Sequence, residues 1–296
     1  MRVLDAGFAA HLGSGATTLA TCWRIARPDG FVLGFTDHDV ALAFDGTDFL
    51  PAHGLDGSEA SQKLGGQVAT ADVVGVLHAE AIAEADILLG RYDGAEVQTW
   101  RVNWRDVSQR HLVRRATIGE IVREDGVFRA ELRSAQHALN VPKGRIYAPL
   151  CDAELGDARC GIHLDDAAYS AGASVSALRD RYRIAVAGLD GYAEGWFAFG
   201  HVLWTDGARA GLRDQVASHA RIGGVDILGF TAPVGDWVGA GDAFTAFAGC
   251  DRQFSTCRTK FANAAAFRGF PHVPGNDFVM RVAREGDALD GRPLVG

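Results

Sequence analysis

The chain has 296 residues, 48% of them hydrophobic and 22% charged, which is enough to bury one large core or two medium ones. Its formal charge of -8 argues against a firm grip on nucleic acid, because neutralising phosphates takes a surplus of Lys and Arg on one face. The start, MRVLDAGFAAHLGSG, has a single Arg and no apolar run of signal-peptide length, and no later stretch approaches a membrane span, which predicts synthesis and folding in the cytoplasm without stable membrane insertion.

In chain order, GSGATT (13–18) has the glycines of a phosphate loop but lacks the Gly-Lys-Ser/Thr that would reach phosphate and magnesium, so a turn is expected there. TTLATCWRIARPDG follows with the period-two pattern of a strand, in which Cys22 reads as a small buried thiol. Turn chemistry then recurs about every ten residues, at Pro28 to Gly30 and at Asp45-Gly46 inside ALAFDGTDFLPA, a rhythm of barrels and sandwiches. Asp37, His38 and Asp39 in TDHD contain metal-ligand and acid–base residue types. Neighbours in a strand point to opposite faces, so a turn with local side-chain bonds is the expectation.

A short helix is expected at SEASQKLG, then strands mixed with a helical turn through EADILLGRYDGAEVQTWRVNW, and a hairpin closing at Asp125 and Gly126. The rhythm is lost around Pro142, Lys143 and Gly144, which places a domain boundary there and gives domains 1–142 and 143–296. In the second, DRYRIAVAG, GWFAFGHVLWTDG, GVDILGFTAPV and DAFTAFAG read as short strands and GLRDQVASHA as a helix or a polar strand. The fold class expected is mainly β, with tandem barrel-like or sandwich-like domains, few short helices and a β unit inserted at about 180–248.

That inserted unit separates two cysteine pairs, Cys151 and Cys160 in PLCDAELGDARCG and Cys250 and Cys257 in GCDRQFSTC. Four thiolates can hold a structural zinc or an iron–sulfur cluster, and either would crosslink two distant pieces of chain. Zinc knuckles usually space their cysteines two to four residues apart, whereas eight and six residues intervene here. The ferredoxin spacings do not match either, although a cluster accepts wider loops. Four unrelated buried thiols, or two local disulfides, remain open on spacing alone.

CDRQFSTCRTKFANAAAFRGFPHVPGNDF, with PLCDAELGDARCG upstream and FTDHD and FDGTDFLPAHG near the start, resembles the phage-derived tail hub proteins of gene transfer agents and alphaproteobacterial prophages. The C-terminal pattern is also similar to lambda-type minor tail protein L. The resemblance implies a noncatalytic tail-tip (baseplate) hub made in the bacterial cytoplasm and carried on a released particle. Such a hub forms a ring, a homotrimer, between the distal tail ring and a central fibre or megatron-like protein, with DNA passing through its channel. It also implies a [4Fe–4S] cluster on Cys151, Cys160, Cys250 and Cys257.

Arg252, Arg258, Lys260 and Arg268 lie near the second pair and could offset cluster charge. Trp196, Phe197, Phe199 and Trp204 are candidates for apolar contacts with neighbouring subunits, or for their own domain's core. The alternatives carried are a zinc-stabilised hub and a tail-associated cysteine peptidase or cell-wall hydrolase, for which His163 and His272 are the histidines nearest the cysteines.

Overall fold

Leu19–Ala26 (β1) forms where the alternation predicts it, and it buries residues on both faces. Ala20 and Cys22 join one cluster with Leu42, Phe44, Phe49 and Val102, while Ile25 joins another with Phe35, Tyr92, Val97 and Ile118. Cys22 is fully buried, its Sγ 3.5 Å from Thr36 Oγ1, and burial pushes its thiol up to about 11. The computed structural model describes residues 4–51, 75–76, 82–124, 127–135 and 144–273, and the chain divides into two compact units, Met1–Pro142 and Lys143–Gly296. The helix expected at SEASQKLG and the turn at Asp125-Gly126 lie outside the described residues.

In the first unit, Val32–Thr36 (β2), Leu42–Phe44 (β3), Thr47–Pro51 (β4), Gly75–Val76 (β5), Glu96–Asn103 (β6), Arg110–Glu124 (β7) and Val127–Ser134 (β8) join β1. They form one eight-stranded sheet ordered β3-β4-β2-β1-β6-β7-β8-β5. Among the described residues, the expected barrel or sandwich is thus a single sheet with core clusters on both faces. Asp45 and Gly46 close the β3–β4 turn with φ of 48° and 68°, the left-handed pair a two-residue hairpin needs.

Two helices of this unit lie wholly among the described residues. Ala6–Gly13 (α1), unexpected from the sequence, is capped by Asp5, whose carboxylate accepts the Gly7 N–H at 2.9 Å, and it buries Phe8. Glu84–Leu88 (α2) is held by the buried Arg27, whose guanidinium reaches Asp86 at 2.8 Å. His38 makes the local bonds expected of TDHD, its Nδ1 accepting the Val40 N–H at 3.0 Å.

The second unit is built on a closed barrel of Ser170–Leu178 (β9), Arg183–Ala187 (β10), His201–Trp204 (β11), Arg213–Ile222 (β12), Val225–Phe230 (β13) and Ala243–Phe247 (β14), in the order β10-β13-β12-β11-β14-β9. The β unit therefore starts at Ser170, not near 180. SAGASVSAL buries only Val175 deeply, so it shows no apolar alternation to read. GLRDQVASHA resolves as strand β12; its alternation slips at a bulge between Val216 and Ser218, which is why it also fits a helix.

The barrel core holds Ile184, Leu189, Phe197, Val202, Trp204, Leu228 and Phe244. Trp204 Nε1 donates to Asp214 at 2.6 Å, and Arg209 pairs with the same carboxylate at 2.7 Å. Of the four aromatics proposed for subunit contacts, Phe197 and Trp204 are spent here and Trp196 packs at the core's edge, whereas Phe199 is 63% exposed.

Candidate functional site

Barrel topology brings the two cysteine pairs together. Cys151 and Cys160 lie in the irregular segment that enters β9, and Cys250 and Cys257 in the segment that leaves β14. These first and last barrel strands are antiparallel neighbours, with Ser170 opposite Phe247. One segment therefore enters the barrel where the other leaves it, and the Ala248 N–H donates to the Tyr169 carbonyl at 2.7 Å.

The arms are then sewn to each other. The Cys151 N–H donates to the Arg252 carbonyl at 2.9 Å, Phe270 N–H to Ala148 at 2.9 Å, and the Asn263 amide to the Cys160 carbonyl at 2.7 Å. Tyr169 meets Phe261 and Tyr147 meets Phe270, with ring centroids 5.4 Å and 4.6 Å apart. Phe254–Thr259 (α3) carries Cys257, buried on the helix's inner side.

All four cysteines line one cleft of about 600 Å³, together with His163, His201, Arg213, Gln215 and Asn263. Amides point at the sulfurs: the backbone N–H of Arg252 at Cys250 Sγ and of Arg268 at Cys151 Sγ, both at 3.4 Å, and the Asn263 side-chain amide at Cys160 Sγ, 3.9 Å away. Arg252 adopts a left-handed φ of 64°, so local strain is stored where its N–H faces one cysteine and its carbonyl receives the other arm. Asp157 folds the Cys160 loop, its carboxylate accepting the Cys160 N–H at 2.7 Å and the Arg159 N–H at 2.9 Å; these bonds to the Cys160 amide and its neighbours hold its pKa down at about 2.

The thiols are electrostatically crowded. Burial raises the pKa of Cys250, with the Arg252 N–H opposing it, and that of Cys257; Cys151 and Cys160 push both further up, and Cys250 does the same to Cys257. This is the reverse of what activates a cysteine nucleophile, which needs a depressed pKa. All five cysteines are free thiols.

Arg252 and Arg268 present backbone N–H groups to the sulfurs, and the Arg258 guanidinium lies over the Phe254 ring, 5.8 Å from its centroid. His163 lines the cleft, while His272 is outside its described lining. His201 stacks on Phe247 at 4.6 Å, and burial followed by the Arg213 charge lowers its pKa. Asn263, Asp157 and His201 were not singled out from the sequence. The D-x-x-C spacing of GDARC is the one local signal that pointed to any of them.

Among the described residues, no group of three or more His, Cys, Asp or Glu stands close enough to hold a metal ion. A zinc site would need its sulfurs about 2.3 Å from one point.

The phage baseplate hub protein, N-terminal attachment domain family matches residues 5–163, a span that takes in the first unit and both cysteines of the first pair. A phage family described as conserved hypothetical protein BR0599 matches residues 195–277, which includes the second pair. No curated protein matches the chain. A chain in the solved structure titled "Virion of native gene transfer agent (GTA) particle" is similar over 97% of this chain and 99% of its own, at 41% identity and a TM-score of 0.87. The chain belongs to the phage baseplate hub protein family.

Proposed function

We propose that this protein is a noncatalytic structural subunit at the tail tip of a gene-transfer-agent-like particle, and that Cys151, Cys160, Cys250 and Cys257 hold a [4Fe–4S] cluster that locks its second unit. The observation that carries the site is the convergence of four free thiols on one cleft, with backbone N–H groups aimed at two of the sulfurs. The donor set fits the group: four cysteines, hydrogen bonds to sulfur, and room beyond that of a single ion.

When bound, the cluster supplies a crosslink through four iron–thiolate bonds. The chain's own part is to bring the arms side by side, point amides at the sulfurs and accept the loss of the thiol protons. Cys257 makes that last cost explicit, since its S–H donates to the Asn263 carbonyl at 3.3 Å and ligation removes that bond.

As the finer reading, the subunit forms a homotrimeric ring between the distal tail ring and a central fibre. An acidic chain of net charge -8 suits a channel through which DNA slides without sticking. Immunogold labelling of purified particles is the test of placement: label at the tail end distal to the capsid is expected, and label elsewhere or none overturns it.

A further inference from the structure

Lys260 sits one residue past α3, yet its side chain turns back to the barrel. Its Nζ donates to the Gly249 carbonyl at 2.7 Å and to the Trp196 carbonyl, and it lies 4.7 Å from the centre of the Trp196 ring and 5.2 Å from that of Phe261. Gly249 is the residue before Cys250. Trp196 belongs to the turn Gly195 to Gly200, which the structure presses against Gly249 so closely that a Cβ there would collide with the Ala198 carbonyl and the Gly200 amide. One ammonium thus joins the base of the second cysteine arm to a turn of the barrel that carries the exposed Phe199.

We propose that Lys260 is a positioning residue for the four-cysteine cleft: its ammonium pins the Gly249–Cys250 turn to the Gly195–Gly200 turn and balances part of the negative charge that the cleft gathers when its thiolates are ligated. This rests on the four-thiolate reading above. Both hydrogen-bond acceptors are neutral carbonyls, so the acidic groups acting on the ammonium through space are Asp251 and, once it is ionised, Cys250. Burial pulls the Lys260 pKa down to about 8, and Cys250, once ionised, and Asp251 oppose that pull. Ligation makes the Cys250 charge permanent and ties the ammonium down.

The test compares the full chain with Lys260→Met and Lys260→Arg, all purified without oxygen, by iron content, rate of iron loss to a chelator and cluster midpoint potential. Lys260→Met is expected to lose iron at least several-fold faster and to show a more negative potential, because removal of a nearby positive charge stabilises the more oxidised cluster. Lys260→Arg is expected to keep the wild-type potential. A Met variant matching wild type in both rate and potential overturns the role of Lys260 while leaving the cluster in place. Wild-type protein without iron overturns the cluster reading, and this inference with it.

If Lys260→Met does not fold, the wild-type protein decides. Acylation of Lys260 by an amine reagent at pH 8, followed by mass spectrometry, is expected to be slower in loaded than in iron-stripped protein. Equal labelling overturns the coupling.

Discussion

The Ala248 N–H meets the Tyr169 carbonyl at 2.7 Å, one step beyond the last pair of the β9–β14 ladder. That bond is where two chain segments 79 residues apart by number leave the barrel side by side, and each then carries two of the four cysteines. Closure of the barrel, not local spacing, assembles the site. Replacing Cys257 with Ser is therefore expected to abolish metal binding and to lower the melting temperature of the second unit, since loss of one ligand releases the crosslink. Unchanged metal content and melting would contradict this.

Cys22 is the internal control. It is fully buried in the first unit's sheet, away from any other cysteine in its core cluster. Cys22→Ser should retain full metal content while losing about 1 kcal/mol of stability from placing a hydroxyl in an apolar site. Metal loss in this variant, measured by elemental analysis, would mean that Cys22 belongs among the ligands.

Gly249→Ala should be costly beyond its size. The added Cβ has no room against the Ala198 carbonyl and the Gly200 amide, so the Cys250 turn must shift. A loss of about 3 kcal/mol in denaturant unfolding is expected, with reduced metal retention. A variant that unfolds like wild type would show that the two turns are not in contact.

Asp214→Ala tests the barrel without touching the cleft thiols. The substitution strands Trp204 Nε1 and the Arg209 guanidinium, both bonded to that carboxylate, and should cost about 3 kcal/mol in thermal or denaturant melts. A cost below about 1 kcal/mol would contradict the pairing.

His201 predicts a pH dependence. Burial and the Arg213 charge place its folded pKa below the ordinary value of 6.5, so the unfolded chain takes up the proton first. Stability is then full above about 6.5 and falls as pH drops from there toward the lowered folded value. Melting temperature should decline between pH 7 and pH 5 more steeply in wild type than in His201→Gln; parallel declines would show that another group titrates.

Much of this was legible in the sequence, and the misses have physical causes. Strands whose apolar residues alternate, such as Leu19–Ala26, and turns with left-handed residues, such as Asp45-Gly46, announce themselves locally. Ser170–Leu178 did not, because one wall of the barrel is built of Ala, Ser and Gly whose burial depends on the closed barrel around them. Helix α1 passed unread because a single buried Phe8 gives no periodicity, leaving the Asp5 cap as the only signal. The four cysteines could be named as a set, since chemistry limits what four thiols are for. Asn263, which bonds Cys160 across 103 residues of sequence, could not be found without the fold. Aromatic residues were the least readable: Phe197 and Phe199 are two residues apart, and one is fully buried while the other is exposed, because the backbone turns through a φ of 63° at Phe199.

The most direct measurement is iron, acid-labile sulfide and zinc content, with a visible absorption spectrum, on the full chain purified without oxygen. A brown protein with about four irons and four sulfides per chain is the predicted result. One zinc without iron, or no metal at all, would contradict a cluster held between the two arms.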